Sequence, residues 1–193
     1  MMPDQVLQMA ELCAQSYHDI PDYGGDDGAC RAHVYGTALI FEGTSDLESV
    51  MADAEVDTIR TPSFGRVHEG FWSSLETLLP KLLQLNITAV GGHSLGAAHA
   101  MFFSAVCATQ GRILSTFCYE PPRISADHGL QAFVENFKIP VYACRNGNDV
   151  VTELPSWMYF PVPLTKIGTP QFPIDNLSDH SIDAVVSALK GTK

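Results

Sequence analysis

Apolar residues in the first part of the chain recur at helical spacing and then form a continuous run. Residues 4–17 carry four of them on one helical face: Val6, Ala10, Cys13 and Tyr17. An aspartate- and glycine-rich loop follows at 21–28, and the strand-forming run HVYGTALIF occupies 33–41. The pattern therefore predicts an amphipathic helix, a loop and one core strand that ends at Gly43.

The next two segments return to helical spacing. In 46–54 the apolar residues follow the i, i+3, i+4, i+7 pattern: Leu47, Val50, Met51 and Ala54. Ser45 and Glu48 form a capping-box pattern at the start of this short helix. Residues 71–85 carry a stripe of leucines that predicts another helix. Pro80 should kink or break that helix, because proline lacks the N–H that the helical hydrogen bond needs.

Strand and helix patterns alternate through the second half of the chain. Strand-like runs occupy 87–92, 115–120 and 139–145. Helix-like runs occupy 95–109, 125–137 and a last segment that ends at Gly191. This alternation predicts the α/β fold class, with a mostly parallel central sheet and helices on its faces. Reactive loops in such a fold lie at the carboxyl ends of the strands.

Composition and charge limit the kind of protein. The 193 residues are 46% hydrophobic and 17% charged, which is typical of a globular chain, and no linker or repeat divides them. We therefore expect a single domain over 1–193. The net charge of −11 argues against nucleic acid and anionic lipid surfaces as partners. No apolar run approaches the roughly 20 residues that a transmembrane segment needs.

The N-terminus and the cysteines bear on the compartment. The first residues lack the basic start and the continuous apolar segment of a signal peptide, so we expect a cytoplasmic protein. A secreted form with a processed N-terminus is the alternative. The five cysteines form no CxxC pair and three lie in apolar stretches, which favours buried free thiols over disulfides.

The glycine-rich turn GHSLG, at 92–96, lies between a predicted strand and a predicted helix. The pattern G-x-S-x-G in this context is typical of a nucleophile elbow, in which a strained serine raises its hydroxyl above the sheet. A phosphate-binding loop is a weaker interpretation, because neither Gly-Lys-Ser/Thr nor G-x-G-x-x-G is present. The pentapeptide alone also fits a tight turn with an inert serine. Ser94 is thus the candidate nucleophile.

A catalytic serine needs a histidine base, and the base needs a carboxylate to orient it. Doubly wound hydrolases carry these residues in the chain order Ser, Asp or Glu, His. Only His128 and His180 follow Ser94. We favour His180, because a loop just before the last helix could bring it over the sheet, whereas His128 lies in a polar stretch on the outer face.

Asp149 is the candidate acid, since it follows the strand at 139–145 after the short turn RNGND. The alternative is that Asp149 only shapes this turn, as aspartates often do. The other acidic residues nearby look like cap or surface residues: Asp175, Asp179 and Asp183.

The motifs resemble, in order and spacing, those of the class 3 lipases, which are fungal triacylglycerol lipase-like α/β-hydrolases. Over about residues 35 to 185, six segments carry the resemblance: FEGT (41–44), VHEGF (67–71), GGHSLGAA (91–98), YEPPRIS (119–125), NGNDVVTELP (146–155) and SDH (178–180). The family pattern that corresponds to YEPPRIS is F-G-x-P-R-V-G. The resemblance implies the α/β-hydrolase fold and a triad of Ser94, Asp149 and His180, the residues reached above.

The resemblance also implies an oxyanion hole and a lid. The backbone N–H of Leu95 would supply one donor, and Thr44 the other through its N–H and hydroxyl, with Asp53 holding that hydroxyl. Segment 45–54 falls where the family carries its lid, whose apolar residues would cover the active site: Leu47, Val50 and Met51. A fixed helix packed on the core is an equal alternative. His68 and His93 match family motifs outside the triad and would be structural.

The first and fourth of the six segments depart from the family pattern. Glu42 stands where F-R-G-T has a basic residue, and Pro122 adds a second proline. The chain is also much shorter than the secreted fungal lipases, which favours a smaller cap and short- or medium-chain acyl esters.

We therefore predict a serine carboxylic-ester hydrolase that works through an acyl-serine without a metal or organic cofactor. Its partner would be a small-molecule or lipid ester, with transient contact to a lipid interface. The alternatives are a phospholipase or galactolipase, a feruloyl-type esterase, a thioesterase or acyltransferase, and a catalytically inactive lipid-binding domain. The sequence does not indicate an oligomeric state.

Overall fold

The computed structural model describes residues 3–25, 30–44 and 57–191. The helices are α1 (Pro3–Ser16), α2 (Glu69–Glu76), α3 (Leu79–Leu82), α4 (Leu95–Thr109), α5 (Gly129–Phe137) and α6 (Ile182–Gly191). The strands are β1 (Ala32–Tyr35), β2 (Ala38–Phe41), β3 (Thr58–Thr61), β4 (Gly65–His68), β5 (Ala89–His93), β6 (Ser115–Tyr119), β7 (Val141–Asn146) and β8 (Thr165–Ile167). The predicted lid at 45–54, with Leu47, Val50, Met51 and Asp53, lies outside the described residues.

Six strands form the central sheet in the order β1-β2-β5-β6-β7-β8. β1 runs antiparallel to β2, and every other neighbouring pair is parallel. β3 and β4 form a separate antiparallel hairpin. The predicted α/β fold class with a mostly parallel sheet is confirmed. Within the described ranges, no helix is both long enough and apolar enough to cross a membrane.

Alternate residues of β2 face opposite sides of the sheet and belong to two different cores. Leu39 and Phe41 pack in the core that contains α4, whereas Ala38 and Ile40 pack in the core that contains α1 and α6. Helices therefore cover both faces, as the alternation of strands and helices predicts. α4 is buried along nearly its whole length, so the helix that follows Ser94 is held firmly in place.

The run 33–41 forms two strands, and the prediction of one strand was wrong. β1 and β2 are paired through a tight turn, with Tyr35 opposite Ala38. Gly36 has a φ of 63°, a left-handed conformation that glycine adopts without steric cost. The flanking residues are all strand formers, so the strand pattern did not reveal the reversal at this glycine.

Two further boundaries depend on specific residues. The predicted break at Pro80 is confirmed, because α2 ends at Glu76 and α3 begins at Leu79 with the proline in its first turn. The helix predicted from 125 begins only at Gly129. Ser125 instead makes antiparallel bridges to Val67 and Tyr159, which hold the preceding segment extended. The β3–β4 hairpin and β8 were missed by the sequence patterns.

Candidate active site

Ser94 lies on a strained turn between β5 and α4. Its φ of 57° and ψ of −128° are unfavourable for a residue with a side chain, and its N–H donates to the carbonyl of Tyr119. Strain of this kind is retained where the surrounding structure enforces it and is concentrated at functional sites. The predicted strained strand-turn-helix geometry is therefore present at the candidate nucleophile.

Two glycines make this turn sterically feasible. A Cβ on Gly92 would lie 2.2 Å from the backbone carbonyl of Gly96. A Cβ on Gly96 would lie 2.1 Å from the carbonyl oxygen of Phe41, at the end of β2. Both distances are far below van der Waals contact, so the two glycines of G-x-S-x-G allow α4 to approach β5 and β2.

Asp149 and His180 meet although they are 31 positions apart. His180 Nδ1 lies 2.9 Å from Asp149 Oδ2, and the other carboxylate oxygen accepts the N–H of Val151. Asp149 is fully buried. The rejected candidate base, His128, lies at the start of α5 with its ring against Tyr159. The structure thus brings together the histidine and the aspartate that the chain order favours.

Two atoms of the candidate triad have no hydrogen-bond partner in the structure. Among the described residues, Ser94 Oγ and His180 Nε2 are both buried and unpaired. Buried polar groups are nearly always paired, so unpaired ones often mark functional positions. Here they are the hydroxyl that would react and the ring nitrogen opposite the Asp149 hydrogen bond.

Asp179 is not a surface residue, and that prediction was wrong. Its side chain is fully buried, and its carboxylate accepts the backbone N–H groups of Asn148 and Gln171 at 2.8 and 3.0 Å. Burial by itself would raise the pKa of Asp179, but these N–H groups outweigh it and keep the pKa below the usual range. Asp179, the residue before His180, therefore ties the segment that carries His180 to the loop that carries Asp149.

A second buried chain of polar side chains adjoins His180. His93 Nδ1 hydrogen-bonds to the Tyr17 hydroxyl at 2.7 Å, and His93 Nε2 to Glu120 Oε2 at 2.9 Å. A Cβ on Gly43 would lie 2.1 Å from the Tyr17 hydroxyl, so the chain also reaches the FEGT turn. We call Tyr17, His93 and Glu120 the polar bridge.

Glu120 was missed by sequence reasoning. The available signal was its place in YEPPRIS, where the family pattern F-G-x-P-R-V-G has glycine. Glu120 has a φ of 51°, which explains why glycine suits the position. Burial, and next the Asp149 carboxyl, raises the pKa of Glu120 to about 10. Glu120 is thus a neutral, fully buried carboxyl beside the candidate triad.

The two candidate oxyanion donors lie at the ends of different elements. Leu95 is the buried first residue of α4. Thr44 follows β2 and lines a cavity of about 390 Å³ together with Tyr17, His93 and His180. The third residue of this group, Asp53, lies outside the described residues.

His93, Glu120 and His180 form the cluster of potential metal ligands in the part of the chain that the structure describes. One nitrogen or oxygen from each lies within 4.8 Å of the others. His93 Nε2 already hydrogen-bonds to Glu120, and His180 Nδ1 to Asp149. The arrangement therefore fits a hydrogen-bonded network that engages His93 Nε2 and His180 Nδ1 and leaves His180 Nε2 unpaired.

Residues 38–159, more than half of the sequence, match the family described as lipase (class 3). The chain belongs to the class 3 lipase family. It is a carboxylic ester hydrolase, as members of that family are, and the family acts on lipid esters. No curated protein sequence matches the chain.

Solved structures that are similar to this lipase include several from fungi. The chain is similar to a mono- and diacylglycerol lipase from Aspergillus oryzae, with 18% identity, a TM-score of 0.69 and coverage of 93% of this chain and 83% of the other. It is also similar to the Lip2 lipase from Yarrowia lipolytica, with 17% identity, a TM-score of 0.63 and coverage of 92% and 81%. It is also similar to a triacylglycerol lipase from Penicillium expansum, with 13% identity, a TM-score of 0.56 and coverage of 90% of this chain and 83% of the other. At these identities the likeness concerns the fold, and it confirms the α/β-hydrolase fold.

Proposed function

We propose that this lipase hydrolyses esters through an acyl-serine on Ser94, with His180 as the base and Asp149 as the acid that orients it. The observation that carries the proposal is the 2.9 Å contact between His180 Nδ1 and Asp149. Held in this way, the ring directs its unpaired Nε2 away from Asp149. A buried, unpaired serine hydroxyl on a strained turn is the group such a base would activate.

Acylation follows from these positions. His180 Nε2 takes the hydroxyl proton as Ser94 Oγ bonds to the ester carbonyl carbon. The tetrahedral intermediate then expels the alcohol, which leaves with the proton from Nε2. Asp149 stabilises the imidazolium while it exists and keeps the Nδ1 proton in place.

Deacylation repeats the sequence with water. His180 takes a proton from water as its oxygen bonds to the acyl carbon. Collapse of the second intermediate releases the carboxylic acid, and the proton returns to Ser94. The Leu95 N–H and Thr44 would stabilise the oxyanion in both steps. Leu95 is suited to this role because the first N–H groups of a helix have no intrahelical partner. Loss of one such donor typically lowers kcat by about 10²–10³-fold.

We propose short- or medium-chain acyl esters and glycerides as substrates. The Aspergillus oryzae neighbour is named for mono- and diacylglycerols, which supports partial glycerides as the first lipids to assay. Rates over p-nitrophenyl esters from acetate to palmitate, with and without an emulsion, would define the acyl preference. A maximum at palmitate would contradict the short-chain proposal.

The test of the serine mechanism is Ser94→Ala. We expect this variant to lose hydrolysis of p-nitrophenyl butyrate and labelling by a fluorophosphonate probe, with an unchanged melting curve. Ser187→Ala, on the exposed face of α6, is the matched control and should keep both. Full activity or labelling of the Ser94 variant would exclude Ser94 as the nucleophile.

A further inference from the structure

Two buried carboxyl groups reach the same nitrogen of His180 from neighbouring strands. Asp149, after β7, lies 2.9 Å from Nδ1, and Glu120, after β6, lies 3.9 Å from it. Both side chains are fully buried. Only one acid is needed to orient a catalytic histidine, so the second carboxyl calls for an explanation of its own.

We propose that Asp149 and Glu120 act as a carboxyl pair on His180, in which Glu120 is a second positioning residue that can accept the Nδ1–H hydrogen bond. The proposal rests on the proposed role of His180 as the base. In the wild type Asp149 makes the short contact with Nδ1. Glu120 supports the ring and takes over when Asp149 cannot carry the charge.

The backbone at Glu120 indicates that its side chain is used. A left-handed conformation costs a residue with a Cβ roughly 1 kcal/mol, which glycine would avoid. The Glu120 N–H donates to the carbonyl of Cys144 at 2.9 Å, and the carbonyl of the preceding Tyr119 accepts the N–H of Ser94. Glu120 is thus fixed between the strand that leads to Asp149 and the turn that carries the nucleophile.

The Glu120 side chain is held close to His180, and one of its carboxyl oxygens makes no hydrogen bond. His93 binds Glu120 Oε2 at 2.9 Å and is itself held by Tyr17. Glu120 Oε1 is buried and has no partner among the described residues. A movement of about 1 Å would bring Oε2 within hydrogen-bond distance of Nδ1.

Charge explains why only one carboxyl is ionised at a time. The titratable groups that face Glu120 from the surrounding elements are Tyr17, His93, Cys144, Asp149, Asp179 and His180. Two adjacent carboxyls in a buried site share one negative charge, because ionising both is too costly. Burial is the main cause of the raised pKa of Glu120, and the Asp149 carboxyl is the second. Replacing Asp149 by asparagine removes the second cause, so the pKa of Glu120 should fall and Glu120 should ionise beside Nδ1 at a lower pH than in the wild type.

The test is a double-mutant cycle on ester hydrolysis with Asp149→Asn, Glu120→Gln and the double variant. Loss of the sole orienting acid typically costs about 10⁴-fold in kcat. We expect Asp149→Asn to cost only about 10²-fold, and Glu120→Gln to remove at least about tenfold more in that background than in the wild type. The residual activity of Asp149→Asn should rise with pH as Glu120 ionises, and this rise should vanish in the double variant. Additive effects, or an unchanged pH profile, would overturn the proposal.

A readout that does not need turnover separates this inference from the proposed function. The Nδ1 proton of His180 should give a low-field NMR signal that is absent in His180→Gln. In Asp149→Asn the signal should persist at high pH, and in the double variant it should be lost. Its loss in Asp149→Asn at every pH would refute the carboxyl pair even if Ser94→Ala abolished hydrolysis. Inactivity of the wild type would refute the proposed function and leave this NMR test valid. Melting curves of all variants establish that they fold.

Discussion

The imidazole rings of His93 and His180 pack against each other, with centroids 4.7 Å apart and planes inclined by 30°. Two protonated rings at this distance would repel each other. Burial, and next the neighbouring His180, lowers the pKa of His93 well below its usual range. His93 therefore stays neutral and keeps its hydrogen bonds to Tyr17 and Glu120 beside the proposed base, His180.

Tyr17→Phe should destabilise the protein by leaving a buried nitrogen of His93 unpaired. Loss of one partner of a buried hydrogen bond costs about 1–3 kcal/mol in the free energy of unfolding. Tyr35→Phe is the matched control, because its hydroxyl donates to Asp19 in an exposed contact. Urea denaturation of both variants measures the free energy of unfolding. Equal losses in the two variants would mean that the 2.7 Å hydrogen bond at His93 contributes no more to stability than the exposed one.

Gly96→Ala should prevent the turn at Ser94 from forming correctly. The added methyl group would lie 2.1 Å from the carbonyl oxygen of Phe41, and both elements belong to the rigid core. We expect a loss of roughly 3 kcal/mol or more in stability, together with loss of activity. Gly70→Ala is the control, since its nearest neighbour would be 3.5 Å away. A melting temperature for Gly96→Ala within a few degrees of the wild type would contradict the steric argument.

Asp179→Asn should lower both stability and kcat/KM. Its charged oxygens accept two backbone N–H groups, and charge-assisted bonds of this kind contribute about 1.5–3 kcal/mol each. Weakening them releases the loop of Asn148 and the adjacent His180, so kcat/KM should fall by at least about tenfold. Asp183→Asn, on the exposed side of α6, should change neither value appreciably. If the two variants behave alike, Asp179 does not position the site.

His99 should make the protein less stable as the pH falls below about 6.5, the usual histidine pKa. Burial lowers the pKa of His99 to about 3, so between these values the unfolded chain binds a proton that the native state does not. This group can then cost at most about 1.4 kcal/mol per pH unit. The difference between the urea midpoints at about pH 7 and about pH 5 should be smaller in His99→Gln than in the wild type, and the part that remains belongs to other buried histidines such as His68 and His93. The control is His18→Gln, at an exposed position, which should show the same difference between the two urea midpoints as the wild type. An equally large difference in His99→Gln would refute the prediction.

Much of the fold could be predicted because its signals are local. Helix α4 was predicted with its observed limits, 95–109, because the turn signals on either side of a continuous apolar segment mark where the helix begins and ends. The break at Pro80 and the turn at Ser94 follow from the stereochemistry of single residues. The prediction of one strand over 33–41 was wrong because the strand-forming residues on both sides conceal a reversal that Gly36 makes.

The sequence by itself determined the alternation of strands and helices in the second half and the strained turn of Ser94, because these features follow from local steric rules. It also named Asp149 and His180 as candidates, through their order along the chain. Only the tertiary structure decided that Asp179 is buried, that Tyr17 and His93 form a bridge, and that Glu120 reaches His180. The hydrogen bonds of Asp179 with Asn148 and of Tyr17 with His93 join residues that are 31 and 76 positions apart. Whether such a carboxyl is exposed and ionised or buried and neutral depends on neighbours that only the packed sheet brings to it.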